Sequence, residues 1–175
     1  VLLSQHIFAG NWADVMRYLM PVLSFMFGVA VATEIRQHFQ NIGRIHWRQI
    51  VILIEMSMLF LVGFLPGKMD LVANAFVSFS CAMQVQTFRK VDSYAFASTM
   101  CIGNIRSGME ALCAYRQSHN RQILYKAFHY FGIIILFAFG AGIGSILIPV
   151  FNLQTIWFSS FLLMVGFFLM FIQEK

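Results

Sequence analysis

The residues able to do chemistry in this chain lie inside or beside apolar sequence. The stretch Ser93 to Leu112 carries Ser98, Thr99, Gly103, Asn104, Arg106 and Glu110. That is more polarity than lipid tolerates on an exposed helix. The stretch therefore reads as a broken or re-entrant helix, and such backbone survives at membrane depth only when protein covers it or when it lines a watery cavity. Backbone amides freed at Gly103 and Asn104 would suit an anionic group, as helix ends do. Upstream, Asn74, Ser78, Cys81 and Gln84 recur at intervals of four, three and three, which places them on one helical face. Two roles are open to that stripe, glue between helices or the wall of a solute site. Glu55 is an acid well inside another apolar run. It is either a carboxyl near the interface that snorkels or pairs with a polar neighbour, or a proton or ion coupling site in the interior of a bundle.

Other chemistries lack their residues. There is no His-Glu-x-x-His and no Gly-x-Ser-x-Gly, and His6, His38, His46, His119 and His129 share no metal-ligand spacing. Cys81, Cys101 and Cys113 match no metal signature and read as small apolar packing residues. No catalytic residue, metal or cofactor is expected, and the chain is not expected to be an enzyme.

The elements that must position these residues are membrane helices. Of 175 residues, 59% are hydrophobic and 11% charged, against roughly 25% charged in soluble proteins. The mean hydropathy is +0.75. Apolar runs occupy Trp12 to Thr33, Ile50 to Leu65, Leu71 to Phe88, Leu124 to Ile148 and Thr155 to Ile172, all of spanning length but Ile50 to Leu65, which is short for a bilayer. The expected fold is all-α, a polytopic transmembrane bundle forming a single integral membrane domain over 1–175. The net charge of +5 collects in the gaps between runs, notably Arg36, Arg44 and Arg48. That pattern fits the positive-inside rule and leaves no basic face for nucleic acid.

The bundle reads as two related repeats, 1–66 and 71–173. Laying Trp12 to Ile35 over Leu124 to Leu147 pairs Tyr18 with Tyr130, Phe25 with Phe137, Phe27 with Phe139 and Gly28 with Gly140. LFLVGF at Leu59 to Phe64 then lies over LLMVGF at Leu162 to Phe167. The first copy leaves its first helix into a basic loop, whereas the second enters from Arg106, Lys126 and the expected loop Cys113 to Gln122 with Arg116 and Arg121, and leaves into the uncharged turn Pro149 to Gln154. Opposite charge order makes the repeats inverted.

The stretch NAFVSFSCAMQVQTFRKVDSYAFASTMCIGNIRSGMEAL, Asn74 to Leu112, resembles the second-half signature of the YoaK family, also called the domain of unknown function DUF1275. Gln84 and Gln86 stand in its Gln-bearing helix, Arg89 and Lys90 in its basic turn, Ser98 and Thr99 at its hydroxyl pair, and Gly103 with Asn104 at its Thr-Gly-Asn end. Ile102 replaces the usual threonine. The opening residues resemble the segment after the family's first Thr-Gly-Asn, which implies that a first helix and motif are missing before Val1. The resemblance implies a bacterial multi-pass protein of the inner or plasma membrane with unassigned activity.

The expected function is a small secondary transporter or carrier for a small polar or anionic solute. Its site would draw on Asn74, Ser78, Gln84, Ser98, Thr99, Gly103 and Asn104, with Glu55 as the coupling group. The alternative is a non-transporting membrane scaffold or partner subunit. The expected partners are the lipid bilayer, that solute and further copies of the chain.

Overall fold

A computed structural model describes residues 2–40, 46–91, 94–95 and 101–173. The architecture is all-α, and the chain divides into two compact units, Val1–Thr87 with Phe151–Lys175, and Phe88–Val150. Two helical stretches, Trp12–Phe39 and Arg121–Met170, are long and apolar enough to cross a membrane.

The first unit contains α1 (Leu2–Phe8), α2 (Trp12–Phe39), α3 (Trp47–Val62), α4 (Asp70–Thr87) and, from the end of the chain, α7 (Ile156–Gln173). Gly10, at φ +70, makes the left-handed turn between α1 and α2. A polar clasp fixes that corner. The Asn11 amide donates to Asp14 at 2.6 Å, and the His6 ring stacks on Tyr18.

Helix α2 runs unbroken through Pro21 and packs along α4. The seam is close because Gly28 has no side chain: a Cβ there would lie 2.6 Å from the Phe79 carbonyl oxygen and 2.8 Å from Ala82 Cβ. Ala32, Trp47, Val51 and Met83 continue the core from that contact. The Gln86 amide donates to Thr33 Oγ1 at 3.1 Å across the same seam, and Thr33 in turn donates to the Val29 carbonyl. At the start of α3, His46 and Gln49 form reciprocal caps. The guanidinium groups of Arg36 and Arg48 lie 5.8 and 5.6 Å from the centre of the Trp47 ring, a cation–π arrangement. Helix α3 packs on both α4 and α7. Its end is held by Trp157, whose indole N–H donates to the Phe60 carbonyl at 3.1 Å.

The second unit holds a short antiparallel pair, Lys90–Val91 with Tyr94–Ala95, then α5 (Cys101–Ser118) and most of α6 (Arg121–Phe151). His119, in the left-handed region at φ 51, turns α5 into α6, and Asn120 Oδ1 caps α6 by accepting from the Gln122 amide.

The long apolar runs are all helices, and two expectations change. Gly103 and Asn104 lie in the first turn of α5, which begins at Cys101, and residues 96–100 before it lie outside the described residues. The expected basic loop Cys113 to Gln122 is helical except at His119 and Asn120, because Cys113 to Ser118 extends α5. The expected turn Pro149 to Gln154 begins inside α6, which carries Pro149, and continues as a 3-10 segment, Asn152–Thr155. Ser93, Ser98 and Thr99 lie outside the described residues.

Candidate functional site

Three helices of the first unit enclose a cavity of about 430 Å³. Helix α3 forms its floor with Glu55 and Leu59, one helical turn apart, both buried. Helix α4 supplies one wall, with Ser80, Cys81 and Gln84 together with Val77. Helix α7 supplies the other, with Ser159 and the apolar Ile156, Leu162 and Leu163. On each helix the lining residues follow the three and four spacing of a single face. Ser159 and Leu162 are exposed at the rim, so the polar floor lies beneath an open mouth.

Glu55 decides the character of the place. Its side chain is only 1% exposed, and its Oε1 has no hydrogen-bond partner among the described residues. Ser80, 4% exposed, has an unpartnered Oγ in the same wall. Buried polar atoms are nearly always satisfied, and an unsatisfied one costs about 1–3 kcal/mol, more for a charged group. Two such atoms on residues that line one cavity make it a place where a guest that reaches them with hydrogen-bonding capacity gains more than water-excluding packing would give.

The structure brings together only part of the expected site. Glu55 and Gln84 both line the cavity. Asn74 lies on α4 but is exposed, and Ser78 is half-buried outside the lining. The stripe is therefore turned by a fraction of a helical step, so that Ser80 faces the cavity where Ser78 was expected. Asn104 is buried in α5 and Gly103 exposed there, both in the second unit. Arg106 pairs with Glu110 at 2.8 Å on the exposed face of α5. Ser80 and Ser159 escaped the sequence reading. Their signal was spacing, since Val77, Ser80 and Gln84 share a face, as do Ser159, Leu162 and Leu163. Cys81, read as packing, lines the cavity.

The profile of the family described as "Protein of unknown function (DUF1275)" matches residues 1–169. The chain belongs to the DUF1275 family. Neither a curated protein nor a solved structure matches it. In this DUF1275 chain, the whole cavity falls within the matched residues, so Glu55, Ser80, Cys81, Gln84 and Ser159 all belong to the family's domain.

Proposed function

We propose that the protein is a multi-pass membrane protein of the cell membrane that works as a small secondary carrier for a small polar solute. The cavity on α3, α4 and α7 is its solute site and Glu55 its coupling group. The observation that carries this reading is the buried Glu55 carboxyl, with Oε1 unpartnered, at the floor of a cavity large enough for a small molecule. Intramembrane acids are costly and mark ion or solute pathways. Large exposed side chains such as Ile135, Leu136, Phe139 and Ile146 on α6 support burial in lipid. The two repeats are inverted in this reading, with the basic segments on the cytoplasmic side.

The test is flux in vesicles reconstituted with purified protein. Glu55→Gln is expected to abolish solute-coupled proton movement while the protein remains folded. Unchanged coupled flux in folded Glu55→Gln would remove the carrier reading at this site.

A second reading, a partner subunit without transport, is favoured by one observation. Within its own unit, nothing lies within 4 Å of a Cβ placed at Gly140, Gly142 or Gly144, a small-residue face of the kind that helices use to approach one another. Loss of a stable complex with intact flux after Gly142→Leu would add that role without removing the carrier.

A further inference from the structure

The chemistry of the cavity narrows its occupant. Among the described residues no Lys or Arg forms an ion pair with Glu55, and no basic side chain lines the cavity. An ionised carboxylate in such a place is costly unless a positive charge joins it. The Ser80 and Ser159 hydroxyls and the Gln84 side-chain carbonyl can accept hydrogen bonds, and the hydroxyls, the Gln84 amide nitrogen and the Cys81 thiol can also donate, so the fixed acceptor-only group is the Glu55 carboxylate. A donor-rich cationic head therefore finds acceptors there, whereas an anion meets the Glu55 carboxyl. Half of the lining is apolar, Leu59, Val77 and Ile156 with Leu162 and Leu163. A bare alkali ion would leave those surfaces facing water or nothing. A short hydrocarbon body would cover them.

We infer that this cavity takes a monovalent organic cation, an ammonium head seated on Glu55 with its apolar body between α4 and α7. The inference rests on the reading of the cavity as the solute site, and it names the solute's class. It also supplies a mechanism for coupling. One carboxylate holds either a proton or an ammonium group, so each cation that enters releases one proton and the charge within the cavity is unchanged. The groups facing Glu55 do not compete for that role. Helix α4 brings Cys81, the other titratable group in the lining, and α7 brings none. Helix α2, packed on α3 and α4, places none of its charged residues in the lining.

The experiment is saturation binding of radiolabelled n-butylammonium to the purified full chain in detergent. Unlabelled n-butylammonium, n-butanol, butyrate and sodium, at matched ionic strength, serve as competitors. The expected result is saturable binding displaced by butylammonium alone and weakened at least about tenfold in Glu55→Gln, a loss of about 1.4 kcal/mol. Leu163→Trp, which fills the cavity and leaves the acid in place, is expected to lose binding as well. It serves as the deciding variant if Glu55→Gln does not fold. Three results would each overturn the inference: no saturable binding by the folded native chain, equal binding after both substitutions, or displacement by sodium or butyrate as effective as by butylammonium. Counterflow in vesicles separates this from the carrier reading. Binding without counterflow removes the carrier and keeps the cation site, whereas counterflow of another solute without ammonium binding does the reverse.

Discussion

Helices α3 and α7 border two cavities of nearly equal size. One, about 430 Å³, has Glu55, Ser80, Cys81, Gln84 and Ser159 in its lining. The other, about 410 Å³, is lined by residues that include Met56, Ser57, Phe60, Trp157, Ser160 and Phe161, with no charged side chain among them. Glu55 and Met56 are neighbours in sequence, and the turn of a helix sends consecutive side chains about 100° apart. One helix thus feeds a polar floor on one side and an apolar wall on the other. The second cavity is also better satisfied, since Ser57 and Ser160 both donate to carbonyls of their own helices, Ser57 to Leu53 and Ser160 to Ile156. Volume alone does not make a site. What separates the two cavities is a buried acid whose hydrogen bonds are incomplete.

Removing that one charge strikes at the difference most directly. Glu55→Gln is expected to reduce coupled flux at least about thirtyfold, the scale of losing one partner of a buried charge pair. Met164 also lines the apolar cavity, and Met164→Trp, which fills it, should change flux less than about twofold. Equal losses in the two variants would mean that the cavities act only through packing.

The next largest effect concerns the frame that holds the acid in place. Gly28→Ala puts a Cβ against the Phe79 carbonyl and Ala82, and should destabilise the folded protein by about 1–3 kcal/mol. Gly140→Ala, at the position that the sequence alignment sets opposite Gly28, meets nothing within 4 Å. It should be neutral or stabilising by up to about 1 kcal/mol. Thermal unfolding in detergent measures both, and identical shifts would show that the α2–α4 seam is not tight.

Smaller again is the hydrogen bond from Trp157 to the Phe60 carbonyl. Trp157→Phe keeps an aromatic ring beside Phe60 and Phe64 and should cost about 1 kcal/mol. The smallest effect is expected for Gln86→Leu, about 0.6 kcal/mol for one interhelical polar contact. A loss above about 2 kcal/mol there would place Gln86 in a wider network than its bond to Thr33.

The fold was legible where composition and period agree. The apolar runs that become α2, α3, α4, α6 and α7 are long, and backbone hydrogen bonding in an apolar setting leaves helix as the form that satisfies them. The N-terminal helix α1 was not legible, because Leu2–Phe8 is too short to show a period. Nor was the start of α5 at Cys101, two residues before Gly103. Within the site, Glu55 stood out because an acid in an apolar run is rare. Ser80 and Ser159 did not, since whether a serine faces a cavity depends on how its helix is rotated against its neighbours. That rotation is set by contacts such as Gly28 on Phe79, which link residues far apart in sequence.

Cys81 offers a native reporter for the proposed cation site, because it lines the same cavity as Glu55. With Cys101 and Cys113 replaced by serine, the rate at which Cys81 reacts with cationic aminoethyl methanethiosulfonate can be compared with the rate for the neutral methyl reagent. Each rate is normalised to that reagent's rate with a free thiol in solution. The expected result is a preference of about tenfold or more for the cationic reagent, lost in Glu55→Gln and suppressed by butylammonium. Equal normalised rates, or a preference that survives Glu55→Gln, would contradict a cation site built on Glu55.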